Sequence, residues 1–264
     1  KEEFNIEKFR KSLQSAGTPL KMINSIITEI ERQKPRTTKK IHELTIAMLE
    51  KEKPPVAARY NLKRALVELG PAGFPFERFI AELFKAQGYT TSVGNVFFGF
   101  CIDHEVDILL KKDNHHYMVE CKFHNSLTLK SDVKVALYIH ARFQDLKKAW
   151  EKDPNHRQAI HQAWIITNTN FTSVAEQYAH CVDIKMLSWK RPHGQSLAEL
   201  IDKFGLHPIT SLTYLSREQK KRFIKEGFVL CRDAGKQRNL LKRMGFSDKK
   251  IKKIITEAQA VCKL

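Results

Sequence analysis

Apolar residues recur at helical spacing through the first 70 residues of the chain. Five of them, between positions 22 and 30, fall on one helical face, and Thr37-Thr38 is a candidate N-cap for a helix that begins near Lys39. The helices are expected to stop at the proline-glycine cluster of residues 70–73, because proline cannot extend a helix and glycine favours its end. The pattern therefore predicts a helical N-terminal segment and a domain boundary near residue 70.

Helical and strand patterns alternate in the middle of the chain. The predicted order is helix 75–87, strands 91–98, 106–111 and 116–123, helix 130–151, strand 163–167, helix 172–180, strand 182–187 and helix 196–204. An alternation of this kind predicts an α/β sandwich with a mixed sheet.

Residues 207–264 repeat one theme, a basic helix closed by glycine and then phenylalanine. The two copies lie at residues 221–228 and 241–246, and the second leads into Ser247-Asp248, an expected N-cap for a final helix. This arrangement resembles a helix-hairpin-helix module, in which backbone amides at a helix start meet DNA phosphate. A helical bundle that binds another protein would show the same pattern, so both interpretations remain open at this point.

Two strands of the middle segment each carry a carboxylate where a buried strand would carry valine or leucine. Asp107 interrupts the first strand and Glu120 the second. Asp113 and Asn114, which tolerate the positive φ of a two-residue hairpin turn, lie midway between them. With that turn, Asp107 lies directly across from Glu120, with Cβ atoms roughly 5 Å apart. Lys122 then shares the face of Glu120, because side chains alternate along a strand.

The opposed carboxylates create an electrostatic conflict. Burying both costs several kcal/mol unless a positive charge lies between them. A divalent cation would remove the conflict, and oxygen ligands alone suit Mg²⁺ or Mn²⁺. A structural alternative remains, since Glu105 is opposite Lys122 in this register and a cross-strand salt bridge would explain the lysine. The spacing Asp/Glu-x-Lys carries little weight by itself, because it recurs at Asp132, Asp145 and other sites.

Charge is distributed unevenly along the chain. The formal net charge is +17, from 46 Lys and Arg against 29 Asp and Glu. Residues 1–70 carry a net charge of +6, residues 71–206 of +1 and residues 207–264 of +10. A polyanion that is attracted to the basic flanks and delivered to the near-neutral middle fits this distribution. Nucleic acid is therefore the expected partner, with DNA favoured over RNA.

Composition argues against a membrane protein and a disulfide-stabilised one. No run of 18 or more apolar residues occurs, so no membrane span and no membrane partner are expected. The five cysteines are scattered and form no C-x-x-C pair, which argues against a disulfide framework or a zinc site and favours a reducing cytoplasm. The chain opens Lys1-Glu2-Glu3 without a methionine, so we expect a shortened form that lacks its natural start.

Four short segments carry a resemblance to a known nuclease superfamily. They are Phe76-Glu77-Arg78-Phe79, Gly88-Tyr89, Glu105-Val106-Asp107-Ile108 and Glu120-Cys121-Lys122. Over about residues 74–190 the chain resembles the PD-(D/E)xK nucleases, in particular their Mrr-like restriction endonuclease branch. The resemblance implies a restriction-endonuclease-like fold in which Asp107 and Glu120 bind a metal. It also implies that Glu77 acts from a helix and that Lys122 assists the attacking water.

These roles imply hydrolysis of a phosphodiester bond. The metal would polarise the scissile phosphate and lower the pKa of its bound water, while Lys122 would orient that water and stabilise the developing charge. Lys130, Lys134 and Arg142, in the helix predicted to follow, are candidate phosphate contacts, and a solvated helix face is the alternative for each.

Two positions qualify the resemblance. Val106 stands where a proline precedes the aspartate in the family pattern. Glu77 lies at the edge of the apolar stripe of its helix and can point toward the sheet. A glutamate at a helix N-terminus also interacts favourably with the helix dipole, so a structural role is the alternative.

The N-terminal segment shows a second resemblance. Its residues Phe4-Asn5-Ile6-Glu7-Lys8-Phe9, Thr37-Thr38-Lys39-Lys40-Ile41-His42 and Ala57-Ala58-Arg59-Tyr60 are similar to an ATP-cone, the nucleotide-sensing domain of ribonucleotide reductases. The resemblance implies that Lys8, Thr38 and His42 approach bound ATP or dATP. A lysine, a hydroxyl and an imidazole suit phosphate and ribose. The alternative is a surface lysine, an N-cap and a packed histidine.

The sequence as a whole predicts three domains. An ATP-cone-like helical domain without its first strands spans 1–70, a nuclease domain 74–204 and a basic helical DNA-binding domain 207–264. We therefore expect an endonuclease that depends on Mg²⁺ or Mn²⁺, with ATP or dATP as an effector and a homodimer as the form that cuts both strands. The alternatives are a nucleic-acid-binding protein with a nuclease-like scaffold and a nucleotide-responsive regulator, neither of which would cleave.

Overall fold

The computed structural model describes residues 4–152 and 160–262. The described residues divide into two compact units. One contains residues 4–65 together with 207–262, and the other contains residues 66–152 and 160–206. The division into three domains stays a prediction, and the structure places its two outer segments in one compact unit.

Five helices form the N-terminal segment. They are α1 (Ile6–Ser15), α2 (Leu20–Gln33), α3 (Thr38–Glu52), α4 (Pro54–Tyr60) and α5 (Leu62–Val67). The side chain of Thr37 accepts a hydrogen bond from Lys40 N at 3.2 Å, so the N-cap of α3 is Thr37 and not Thr38. Pro54 and Pro55 begin α4, where the missing N–H groups need no partner.

The middle segment alternates helices and strands as predicted. Its elements are α6 (Phe74–Lys85), β1 (Thr90–Phe98), β2 (Asp103–Lys112), β3 (His115–Lys122), β4 (Lys130–Ser131), α7 (Val133–Lys152), β5 (Ile160–Thr167), β6 (Asn170–Phe171), α8 (Ser173–Cys181), β7 (Lys185–Leu187) and α9 (Leu197–Phe204). The main sheet has the order β1-β2-β3-β5-β7. The first two pairs of strands are antiparallel and the last two parallel, which confirms the predicted mixed sheet.

Several boundaries differ from the prediction, and the short strands β4 and β6 were not predicted. Strands β2 and β5 each begin three residues before the predicted start, and β7 begins three residues after it. Residues 130 and 131 belong to β4, which pairs with β6, so α7 begins at Val133 and not at Lys130. The short strands carry too little pattern for their sequence to reveal them, because two residues cannot show a period. Helix α7, which follows β4 in the sequence, packs against the main sheet through Ile139, Phe143 and Leu146.

The β2–β3 hairpin has the predicted register. Leu109 is opposite Met118, and Leu110 is opposite Tyr117. Asp113 and Asn114 adopt positive φ values of 49° and 61°, as a two-residue turn of this kind requires. The predicted turn and strand pairing are therefore confirmed.

Four helices and a short 3-10 turn at Ile209–Ser211 form the C-terminal segment. The helices are α10 (Arg217–Lys225), α11 (Cys231–Lys236), α12 (Arg238–Arg243) and α13 (Asp248–Cys262). Gly227 and Gly245 follow the two basic helices with φ values of 89° and 81°, a left-handed conformation that glycine adopts at low cost. Ser247 accepts a hydrogen bond from Lys250 N, which confirms the predicted cap of the final helix. Among the described helices, none has the length and apolar character of a membrane span.

His207 makes the unit formed by the outer segments sensitive to acid. Burial and the nearby charge of Arg59 lower its pKa from 6.5 to about 4. Above pH 6.5 the histidine is mostly neutral in the folded and the unfolded state, so the free energy of unfolding keeps its full value. As the pH falls toward 4, the unfolded state binds a proton that the folded state does not bind, and the free energy of unfolding falls by up to about 3 kcal/mol.

We expect the free energy of unfolding of this unit to fall by about 3 kcal/mol more in the wild type than in His207→Gln between pH 6.5 and pH 4. Native-state hydrogen exchange of residues 207–231 at several pH values would measure it. Comparing pH slopes removes any constant cost of the substitution. Parallel slopes in the two proteins would contradict the assignment to His207.

Candidate active site

The carboxylates that interrupt β2 and β3 lie where the regular pairing of the two strands ends. The last regular pair is Ile108 with Val119, and Asp107 and Glu120 are the next residues of the two strands beyond it. Asp107 Oδ2 instead accepts a hydrogen bond from Cys121 N at 2.7 Å. The two carboxylates are therefore neighbours, as the predicted register requires, but the regular backbone pairing expected between them is replaced by this side-chain hydrogen bond.

Glu120 is buried and makes two contacts with basic side chains. Only 7% of the residue is exposed. Arg142 Nη1, from α7, donates to Glu120 Oε2 at 2.8 Å. Lys122 Nζ lies 4.0 Å from Glu120 Oε1, and the lysine side chain is 42% exposed. The structure thus brings Lys122 beside Glu120, and in the described part of the chain the ion pair of this lysine is with Glu120 and not with Glu105.

Glu77 approaches the same group of side chains from the first turn of α6. The ring of its neighbour Phe76 packs against Phe123 at a centroid distance of 5.5 Å, which ties this turn to the end of β3. Burial, together with the negative charges of Asp107, Glu105 and Glu120, raises the pKa of Glu77 to about 7. All four predicted catalytic residues therefore lie within one electrostatic neighbourhood.

Burial, and after it the charges of neighbouring carboxylates, raise the pKa values of the acidic groups in this neighbourhood. Burial raises the pKa of Asp107, against the opposing effect of the hydrogen bond from Cys121 N. Burial raises the pKa of Glu120 as well, and the charge of Asp107 adds to the effect while Arg142 opposes it. The pKa of the buried Cys121 thiol is raised first by burial and then by the surrounding carboxylates. Each shift shows that these groups are held where a further negative charge is unfavourable.

A hard divalent cation fits this donor set. Carboxylate oxygens are the ligands that Mg²⁺ and Mn²⁺ prefer, and Asp107 and Glu120 supply them at adjoining positions. Among the residues that the structure describes, no group of three or more His, Cys, Asp and Glu side chains forms a ready-made metal site. The metal assignment of Asp107 and Glu120 therefore stays a prediction, with the oxygen chemistry in its favour.

Arg142 has a role at the site that the sequence analysis missed. It is only 8% exposed, and besides Glu120 it donates a hydrogen bond to the carbonyl oxygen of Glu105. This buried position replaces the solvated helix face considered above. Its signal was present in the sequence, because Arg142 falls on the same helical stripe as Ile139 and Leu146, and a cation on an apolar stripe needs a buried partner. Lys130 and Lys134 are exposed.

The backbone around Lys122 is fixed by side chains from the end of β5. Thr167 Oγ1 donates to Lys122 O at 2.8 Å. Asn168 donates to His124 O and accepts from His124 N, both at 2.8 Å. These bonds hold the backbone of Lys122 in place while its ammonium group remains accessible, which suits a lysine that acts on a bound substrate.

The residues predicted to bind nucleotide lie in the other unit, on two helices. Lys8 is exposed on α1, and Thr38 is exposed at the first position of α3. His42, one turn further along α3, contacts Asn61 Oδ1 through Nε2 at 3.0 Å and stacks on Tyr60 at 5.3 Å. Burial lowers the pKa of His42. The histidine is thus packed, as the alternative interpretation proposed.

Two parts of the chain match known families. Residues 72–201 match the family described as "Restriction endonuclease", and residues 207–262 match the family described as "AF1548-like, C-terminal". A relative from Archaeoglobus fulgidus, described as "Uncharacterized protein", is 35% identical over 185 residues, which cover 69% of this chain and 99% of the relative. The chain belongs to the AF1548-like family. A solved structure described as "Crystal Structure of Protein of Unknown Function AF1548" shares 33% identity and a TM-score of 0.60, covering 72% of this chain and 98% of that one.

The matches bear on the two resemblances differently. The four predicted catalytic residues lie inside the matched endonuclease domain, and the mixed α/β architecture agrees with a restriction-endonuclease-like fold. The resemblance to an ATP-cone rests on residues 4–60, which lie outside both matched ranges. It stays a prediction.

The Arg142–Glu120 pair yields a prediction on stability. Arg142→Met leaves Glu120 buried without its partner, and we expect a loss of about 3 kcal/mol in the free energy of unfolding. In the background of Glu120→Gln the same substitution should cost at least about 1 kcal/mol less. All three tryptophans lie in residues 66–206, so urea unfolding followed by tryptophan fluorescence measures the right unit.

The matched control is Lys134→Met, which removes an exposed cation from the same helix. Its effect should stay within about 0.5 kcal/mol. Equal costs for Arg142→Met with and without Glu120 would show that the arginine stabilises the domain through other contacts.

Proposed function

We propose that the chain is a metal-dependent endonuclease that hydrolyses phosphodiester bonds of nucleic acid, with DNA as the expected substrate. The observation that carries the proposal is the grouping of Asp107, Glu120 and Lys122 at the end of the β2–β3 hairpin, within a domain of the restriction endonuclease family. Glu77 adds a third carboxylate to the group from α6. Acidic oxygens suit a metal ion that activates water, and an accessible cation suits the negative charge of a phosphodiester.

Each side chain has a defined task in the proposed reaction. Asp107 and Glu120 would hold Mg²⁺ or Mn²⁺, which when bound supplies a Lewis acid for the scissile phosphate and its attacking water. Lys122, whose ammonium group is accessible beside Glu120, would orient that water and offset the charge that develops on the phosphate. Arg142 would keep Glu120 in its position, since it donates a hydrogen bond to Oε2 of that carboxylate, whereas Lys122 lies beside Oε1.

The charge of the C-terminal segment supports nucleic acid as the substrate. Residues 207–264 carry a net charge of +10, and two basic helices, α10 and α12, each end at a glycine. Basic side chains and backbone amides at helix starts bind phosphate without regard to sequence. A helix-hairpin-helix-like role for this segment is part of the proposal, as is a homodimer that cuts both strands.

One observation favours a second candidate, a nucleic-acid-binding protein that does not cleave. Arg142 already places a positive charge against Glu120, so this carboxylate has a partner without any metal. A nuclease-like scaffold could keep such a pair for stability alone. The cleavage assay below separates the two functions.

We expect wild-type protein to cut supercoiled and linear DNA in Mg²⁺ or Mn²⁺ and Asp107→Asn to lose at least about 100-fold in rate, because the substitution removes a metal-binding charge. Gel analysis of plasmid cleavage, together with DNA binding by anisotropy, measures both properties. Asn keeps the size of the side chain and can still accept the hydrogen bond from Cys121 N.

The matched control is Asp183→Asn, which makes the same substitution at an exposed aspartate of the same unit. Asp183 is exposed and pairs with Lys185 at 3.0 Å, and asparagine tolerates its φ of 54°. This variant should cut like the wild type. DNA binding by all three proteins with no cutting in any metal would favour the non-cleaving alternative.

Regulation by ATP or dATP is the finer part of the proposal and is supported by the resemblance of residues 4–60 to an ATP-cone. We expect either nucleotide to change the cleavage rate by about fivefold or more and Lys8→Ala with Thr38→Val to abolish the response. Lys11→Ala, which removes another exposed lysine of α1, is the control. A cleavage rate indifferent to nucleotide in the wild type would remove this part of the proposal.

A further inference from the structure

The unit formed by the outer segments contains a cavity that neither the family matches nor the proposed active site accounts for. Its volume is about 450 Å³, within the range of about 300–1,000 Å³ typical of small-ligand sites. Pro54 and Pro55, at the start of α4, and Tyr214 contribute rings to its lining, and one face of α13 contributes the remainder. The lining is therefore largely apolar.

The α13 face that lines the cavity carries its cations at one end. Lys249, Lys252 and Lys253 lie in the first two turns, at the spacing of one helical face, and Ala260 lies two turns further on. Lys253 Nζ is 5.9 Å from the centre of the Tyr214 ring. Three cations at one end of an apolar cavity match a ligand that has an anionic group joined to a flat apolar body.

The acidic side chain in the lining, Glu257, is hydrogen-bonded within the protein. The carboxylate of Glu257 accepts hydrogen bonds from Thr213 N at 2.7 Å, from Thr213 Oγ1 at 2.6 Å and from Tyr214 N at 3.2 Å. These donors satisfy the carboxylate within the protein. They also fix the backbone of Tyr214, so that the ring is positioned before any ligand arrives.

We propose that this cavity binds an unpaired nucleotide of a nucleic-acid strand. The base would stack on Tyr214 against the proline rings, and its phosphate would lie among Lys249, Lys252 and Lys253. Stacking on aromatic rings with phosphates held by lysines is how proteins bind single strands without reading their sequence. This inference rests on the proposed function, because that function makes nucleic acid the substrate and therefore the ligand of the cavity.

The proposal specifies the class of substrate. Bases of a continuous duplex are paired and stacked, so they cannot enter a cavity without being extruded, which costs a few kcal/mol. A single-stranded tail, a flap or a branch offers an unpaired base at no such cost. The protein therefore prefers nucleic acid with unpaired nucleotides to a continuous duplex.

The test is the ratio of two affinities, measured by fluorescence anisotropy in EDTA at one fixed salt concentration. One labelled DNA is a duplex with a single-stranded tail, and the other is a blunt duplex with the same number of nucleotides. We expect the wild type to bind the tailed DNA about tenfold more tightly, which corresponds to stacking of about one base. Because no cleavage occurs in EDTA, this result is independent of whether the protein is a nuclease.

Two variants locate the preference. Tyr214→Leu removes the stacking ring, and Ala260→Leu fills part of the cavity without changing its charge or adding a ring; each should bring the ratio closer to one. Lys250→Glu is the control, since Lys250 lies on α13 outside the cavity and contacts Phe246. It should weaken binding of both DNAs and leave the ratio unchanged. Circular dichroism establishes that each variant is folded.

Equal affinity of the wild type for tailed and blunt DNA would overturn the proposal. So would a ratio that both cavity variants retain. A free nucleotide carries the same base and phosphate as the proposed ligand, so binding of AMP and of ATP is measured separately. If they bind to the cavity while tailed DNA gains no preference, the ligand is a free nucleotide and the substrate class proposed here is wrong.

Discussion

Burying Glu120 between the sheet and α7 carries an electrostatic cost that the surrounding structure has to offset. Arg142 donates a hydrogen bond to this carboxylate at 2.8 Å, and the backbone N–H of Cys121 donates one to Asp107 at 2.7 Å. An unpaired buried charge would cost several kcal/mol, so these two contacts allow acidic side chains to stand where a strand would otherwise carry valine or leucine. Burial and the charges of the neighbouring carboxylates together raise the pKa of Glu77 to about 7.

Helix α7 holds the β2–β3 hairpin through two of its own residues, which lie about one turn apart. Arg142 binds Glu120 and the carbonyl oxygen of Glu105, and Asp145 binds His104 Nε2 at 2.9 Å. The second contact also reaches the loop before β2, where Asp145 accepts from Cys101 N at 2.9 Å. Because α7 contacts two adjacent residues near the start of β2 and also Glu120 on β3, it restricts the position of the strand that carries Asp107.

The order of the segments along the chain differs from their grouping in space. The endonuclease domain and the AF1548-like segment fall in different compact units, and the N-terminal helices share a unit with the latter. Ala58 of α4 packs in the same core as Phe223 and Ile254, and Thr210 Oγ1 donates to Ala65 O at 2.5 Å. This grouping forms the cavity next to α13, because Pro54 and Pro55 come from one segment and the lysines from the other.

Local patterns were sufficient for the hairpin and for most of the elements. The alternation of β2 and β3, with Asp113-Asn114 between them, determines which residues face each other, because a turn of two residues allows one register. The sequence by itself therefore determined the candidate site at Asp107, Glu120 and Lys122. Only the tertiary structure decided that Arg142 pairs with Glu120 and that the two ends of the chain share one unit. Both depend on contacts between residues distant in sequence, and no local period records them.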